Sequence, residues 1–126
     1  MKTTSEERLS VAKTIDAQVR ASVESVWAYF SWGVSKKIAT EYNGMPALQY
    51  RVSGVYHKGW VFIAYNYGTD LYDITLVSVR GKVKNTITDV YADQLGFILD
   101  MYIERGTTDG ETYAKRAFAD SRAKMA

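Results

Sequence analysis

His57 is the single histidine among 126 residues. It lies in His57-Lys58-Gly59, a turn signal between two strand-like runs. A histidine general base needs a carboxylate to orient its ring and a nucleophile to deprotonate. Neither has a signature here, and the expectation is a turn residue. Asp89, Asp93, Asp100 and Glu104 fall within about 60° of one another at 100° per residue. Carboxylate oxygens suit hard divalent cations. Side chains on one straight helix fan outward, however, so the stripe is expected to be a solvated polar face. Asp70 and Asp73 flank Leu71-Tyr72 at the start of a strand candidate. Paired carboxylates do acid/base work in glycoside hydrolysis, but alternation along a strand sends these two to opposite sides. GxxxxGK[ST], GxGxxG and HExxH patterns do not occur. The expectation is a non-enzymatic protein with no catalytic residue, no metal site and no cofactor.

Two other groupings suit binding. Residues 36–84 carry seven positive and three negative side chains, against four and four in residues 1–35 and five and seven in residues 85–126. The overall charge of +2 is too small to imply a polyanion partner, but Lys36, Lys37, Lys58, Arg80, Lys82 and Lys84 make the middle section basic. Interleaved Tyr and Trp there could stack bases, as single-strand binders do. Basic turns also solubilise loops and protect sheet edges. Val26-Trp27-Ala28-Tyr29-Phe30-Ser31-Trp32 is a dense aromatic cluster. On a continuous helix Trp27 and Phe30 join the buried arc, while Tyr29 and Trp32 lie off it. Large aromatics off a core face mark contact surfaces. The expected interface residues are Trp27, Tyr29, Trp32, Trp60 and Tyr65.

The elements that position these residues follow from periodicity. Thr4 and Glu7 read as a capping box. Apolar residues from Leu9 to Val34 then recur within an arc of about 120°, which predicts one helix from about Ser5 to Trp32. Such a helix is ~40 Å long, whereas a compact chain of this length is ~36 Å across. The helix must kink, project or pack on a second copy, and projection or self-association is the expectation. Residues 35–46 give no assignment, although Lys36–Tyr42 could be an edge strand. Ala47–Ser53, Trp60–Tyr65 and Leu71–Val79 alternate as strands of an antiparallel meander, and the last two are apolar on both faces. Arg80–Asn85 reads as a basic loop. A second helix is predicted from Ile87 to Glu104 with Tyr91, Leu95, Ile98 and Tyr102 inward, stopped by Gly106. Thr108 and Glu111 suggest a capping box for a third helix reaching Ala123, with Tyr113, Ala117 and Phe118 inward.

The fold class is therefore α+β: a long N-terminal helix (residues 1–34), a three- to four-stranded antiparallel sheet (36–84) and two C-terminal helices (86–124) in a single domain. There is no cysteine, which excludes disulfides. Residues 1–11 lack the apolar run of a secretion signal, and Val26–Val34 is far short of the ~20 residues that span a membrane. The expected location is the cytoplasm. The run Leu48-Gln-Tyr50-Arg-Val52, Lys58-Gly59-Trp-Val61-Phe-Ile63, Asp70-Leu-Tyr72-Asp-Ile74 resembles small uncharacterised proteins of phages and prophages, over the central third of the chain. The resemblance rests on strand pattern and turn residues; it implies a bacterial or phage cytosolic setting and carries over no functional residue. Two apolar-faced strands and an overlong helix favour a self-associating interaction module, a dimer first, or one that takes a protein partner. A nucleic-acid-binding accessory protein is the alternative, and an enzyme the remotest reading.

Overall fold

A computed structural model describes residues 3–106 and 110–125. The fold is α+β, with an N-terminal helical segment, an antiparallel sheet and C-terminal helices. The elements are α1 (Ser5–Ser22), α2 (Val26–Ser31), β1 (Lys36–Tyr42), β2 (Met45–Ser53), β3 (Lys58–Asn66), β4 (Leu71–Ser78) and β5 (Val83–Val90). A 3-10 turn (Ala92–Gln94), α3 (Leu95–Asp100), a π-helical turn (Met101–Arg105) and α4 (Gly110–Met125) follow. The sheet has five strands in the order β1-β2-β3-β4-β5, more than the three or four expected, and all neighbours are antiparallel.

The capping box at the start of α1 forms: the Thr4 side chain accepts from the Glu7 amide and the Glu7 carboxylate accepts from the Thr4 amide. The long helix does not. Val23 is extended, and Ser25 caps a new helix by accepting from the Ala28 amide at 3.2 Å. The break shortens α1 to 18 residues and gives α2 contacts of its own with α4 and α3, which removes the length conflict. It also resets the phase of the aromatic run. Tyr29 (8% exposed) and Trp32 (0%) turn inward, while Trp27 (39%) and Phe30 (37%) turn outward, the reverse of a continuous helix.

At the break, the Ser22 hydroxyl accepts from the Gly96 amide at 2.8 Å. Gly96 packs so closely on α1 that a Cβ there would lie 2.4 Å from the Val23 nitrogen. The start of α3 therefore abuts the end of α1 backbone to backbone.

The segment left unassigned forms the β1–β2 hairpin. Asn43 (φ 51°) and Gly44 (φ 76°) both occupy the left-handed region, as a two-residue type I′ turn requires. Pro46 precedes the first β2–β3 pair, Ala47 with Ala64, so its missing N–H breaks no ladder bond to β3.

Arg80–Lys82 of the predicted basic loop form the β4–β5 turn, but the rest of that loop and the first part of the predicted second helix are strand β5, Val83–Val90. Val83, Thr86, Ile87, Thr88 and Val90 are β-branched and favour a strand, and register shifts and a left-handed Asp89 (φ 58°) accommodate the irregular pairing. The helix that follows is shorter and differently phased: Leu95, Leu99 and Ile103 are buried, while Tyr91 and Tyr102 are exposed. The capping box suggested at Thr108 lies outside the described residues. On α4, Tyr113 and Ala117 are inward, whereas Phe118 is exposed and meets Trp27 edge-on at 4.9 Å.

All sheet residues in the main core share one face. Leu48, Tyr50, Val52, Val61, Ile63, Tyr72, Ile74, Leu76 and Val90 cluster there with Ile15 and Val19 of α1 and Leu95, Leu99 and Ile103. Tyr50 donates to Asp16 at 2.5 Å and Tyr72 to Gln18 at 2.5 Å, so α1 is fixed across this face by its polar edge as well. The residues of opposite parity form the other face, and no residue of that face joins the helix-bearing cluster.

The Gly96 contact gives a test. Gly96→Ala must push α3 from α1 and should lower stability by about 2–3 kcal/mol, the cost of overpacking a tight contact. Urea denaturation reads this; an unchanged midpoint would mean the two backbones are not in contact.

Candidate functional site

The six cations singled out from the sequence divide into two groups. Lys36 begins β1, Lys58 begins β3, Lys84 lies near the start of β5, and Arg80 and Lys82 occupy the β4–β5 turn. In an antiparallel meander these positions share one end of the sheet. Pairing sets a row across the uncovered face at that end: Lys36 with Arg51, Arg51 with Trp60, Trp60 with Val77, Val77 with Val83. The Arg51 guanidinium lies 5.1 Å from the Trp60 ring centre and the Lys36 ammonium 6.0 Å from it. Both are cation–π distances. Further along the same face Tyr42 and Phe62 stack with centres 4.6 Å apart, beside half-exposed Ile38. The acidic side chains Glu41, Asp70, Asp73 and Asp89 sit toward the other end.

Lys37 does not join this group. It points to the helix-bearing face, pairing with Asp16 at 3.3 Å with its ammonium 5.6 Å from the Tyr29 ring centre. Partial burial pulls the Lys37 pKa down, but Tyr29 and Asp16 outweigh it and raise it.

The aromatic candidates also divide. Trp60 is half-exposed on the uncovered face. Trp27 is exposed on α2 against Phe118. Tyr29 and Trp32 are core residues, so their expected interface role is corrected: the helix break turned them inward. Tyr65 is half-buried against the core, its ring near Tyr67 and Tyr72 and its hydroxyl on Asp70.

The acidic stripe is corrected as well. Asp89 is on β5 and Asp93 on the 3-10 turn, so only Asp100 and Glu104 follow one another on a helical segment. Those two are 3% and 0% exposed and not solvated. Asp100 accepts from the Trp32 indole N–H at 2.7 Å and from the Tyr113 hydroxyl at 2.5 Å, tying α2, α3 and α4 together. Burial, opposed by these two bonds, still raises its pKa. Glu104 accepts from the Val55 amide at 2.9 Å, lies 3.8 Å from the Arg116 Nε, and has the Asp120 carboxyl as a neighbour. Arg116 also donates to the Glu104 carbonyl. Burial and Asp120 push the Glu104 carboxyl up to about 7. Sequence spacing did not disclose this cluster, because α4 is what covers it.

His57 is buried in the β2–β3 loop, and its Nε2 donates to the Trp60 carbonyl at 3.0 Å. Burial chiefly holds its pKa down. The ring supports the loop that carries Lys58 and is paired with a backbone group, not with a carboxylate. Asp70 and Asp73 are engaged separately, by Tyr65 and by Asn66. Among the described residues no group of three or more His, Asp or Glu side chains converges as metal ligands, and no helix is long and apolar enough to cross a membrane. Comparison with protein-family models, curated proteins and solved structures returned no match.

Glu104 makes a signed pH prediction. Its folded-state pKa lies above the ordinary 4.5, so its contribution to stability is present at low pH and is lost as pH rises toward 7. In Glu104→Gln the uncharged amide removes that dependence. Relative to wild type the variant should gain up to about 3 kcal/mol between pH 5 and pH 8. His57 titrates in both proteins and cancels in the difference. A difference that stays constant with pH, by urea melts, would contradict the buried-acid assignment.

Proposed function

We propose that the chain is a non-enzymatic binding module whose working surface is the uncovered sheet face, and that its best-fitting partner is single-stranded nucleic acid. The observation that carries this reading is the placement of Lys36, Arg51, Lys58, Arg80, Lys82 and Lys84 at one end of the sheet, with Lys36 and Arg51 beside the Trp60 ring. They come from four strands and a turn. A row of cations tracks a phosphate backbone, while Trp60, Phe62 and Tyr42 offer ring faces on which bases of any sequence can stack. Such a surface needs no catalytic group and no metal.

A second reading, self-association, is favoured by Ile38, Tyr42 and Phe62 on the same face. Exposed aromatic and aliphatic groups on one sheet face suit a dimer that stacks two sheets. The concentration of like charge at one end opposes it, unless the copies run antiparallel and set that end against Asp73 of the other copy. A cytosolic setting, linked to phages or prophages, belongs to this proposal on the strength of the cysteine-free composition and the strand-pattern resemblance.

Fluorescence anisotropy with a labelled single-stranded oligonucleotide tests the first reading. Affinity should fall steeply as salt rises, with log K falling by about 0.7 per phosphate contact for each unit of log salt. Trp60→Ala should weaken binding by about tenfold, the loss of one stacked base. Absence of any shift at low salt would remove the nucleic-acid reading. Light scattering that finds a strict monomer at high micromolar concentration would remove self-association.

A further inference from the structure

We propose that β1 is an open sheet edge through which two copies of this chain pair, antiparallel about a two-fold axis at Ala39, so that their sheets run on as one. The proposal rests on the self-association reading and deepens it, since the contact is edge to edge and leaves the outer face free. A sheet in the order β1-β2-β3-β4-β5 has two edges. In a strand with one neighbour, alternate residues turn their N–H and C=O groups away from it, and those groups template another strand. β5 is blunted: its pairing with β4 shifts register twice, and Asp89 is left-handed. β1 is not. It pairs with β2 at all seven residues, Lys36–Tyr42, without a shift, and none of the seven is buried.

The order of side chains along the strand argues for a second copy as the occupant. A two-fold axis normal to the sheet keeps the helices of both copies on one side, so only residues of like parity meet. Centred on Ala39, the register opposes Lys36 to Tyr42, Lys37 to Glu41 and Ile38 to Thr40, each twice, and pairs every residue of β1. Registers centred on Ile38 or Thr40 leave strand residues unpaired and separate Lys37 from Glu41. The full register therefore sets unlike charges opposite one another and opposes no like pair, which is favourable between strands. Lys37 already pairs with Asp16 at 3.3 Å, and Glu41 already accepts from the Thr3 hydroxyl at 2.7 Å with Arg8 near by. The charges of the second copy add to these contacts, and the Lys37 side chain stays 42% exposed beside Asp16.

Both sides of the joint gain apolar contact. On the outer face Ile38 of one copy lies diagonal to Ile38 and Tyr42 of the other, within reach of long side chains. The patches of Ile38, Tyr42 and Phe62 thus run together. On the helix side half-exposed Leu9 borders a hollow lined also by Lys37, Ala39 and Leu48, next to the axis, where α1 of the second copy comes alongside.

Disulfide cross-linking of the full chain tests the register. The chain has no cysteine, so one introduced thiol reports one position. Ala39 faces its own counterpart across the axis, where opposed Cβ atoms are about 5 Å apart and a small adjustment closes a disulfide. Under mild oxidation Ala39→Cys should link into dimers at least about tenfold faster than Thr86→Cys on β5 or Gln49→Cys on the outer face, because pairing concentrates the two thiols. Glu41→Gln keeps an acceptor for Thr3 but removes the charge, and should raise the dimer Kd at low salt about fivefold in sedimentation, the loss of two exposed ion pairs. If Ala39→Cys does not fold, Glu41→Gln alone decides, and an unchanged Kd overturns the register. Faster linking through Thr86→Cys or Gln49→Cys also overturns it while leaving self-association standing. A strict monomer at high micromolar concentration removes both.

Discussion

Every element of the fold depends on one constraint: the helices that pack on the sheet pack on a single face. Burying Ile15, Val19, Leu95, Leu99 and Ile103 against Tyr50, Ile63 and Ile74 removes large apolar areas from water and supplies the main driving force for folding. Doing so from one side leaves the second face of a five-stranded sheet with its own side chains as cover. Antiparallel sheets tolerate this arrangement when the outer face is polar. Here the outer face keeps Trp60, Phe62, Tyr42 and Ile38 among its cations. Ala47, Ala64, Thr75 and Val77 of that face are buried among these larger side chains, which are what the face presents to a partner.

The helical layer is fixed by polar bonds as much as by apolar contact. Asp100 accepts from Trp32, the residue that ends α2, and from Tyr113 on α4. Tyr50 and Tyr72 anchor α1 through Asp16 and Gln18. The π-helical turn extends the structure in the same way. It places the Ile103 carbonyl where the Tyr56 and His57 amides reach it, at 2.9 Å and 3.3 Å, and aims Glu104 at the Val55 amide. The loop that ends in Lys58 is thereby held by backbone bonds and by the buried His57 ring. A single-sided core and a rigid basic end are parts of one arrangement.

Local signals in the sequence were legible and long-range ones were not. Thr4 with Glu7 named the start of α1, and alternation named the three central strands. Asn43-Gly44 between two alternating runs is also a strong hairpin signal, and it marks the segment 35–46 that periodicity left open. The end of α1 was obscured because the apolar arc continues smoothly through Val23 and Val26. Only Ser25, a good N-cap, hints that a new helix starts there. Strand β5 was hidden because its exposed side chains do not alternate apolar with polar, so pairing with β4 decides its conformation. The burial of Asp100 and Glu104 was out of reach, since it depends on partners 68 residues away at Trp32 and 49 residues away at Val55. The basic end was half legible. The cations were visible, but only the meander's register puts those from residues 36 to 84 at one place and turns Lys37 away from the rest.

Amide and indole chemical-shift mapping with a single-stranded oligonucleotide tests the central claim most directly. The account predicts shifts at Lys36, Arg51, Lys58, Lys84 and the Trp60 indole, with the outward face of α1 unmoved. Shifts confined to the helices, or none at the Trp60 indole, would contradict it.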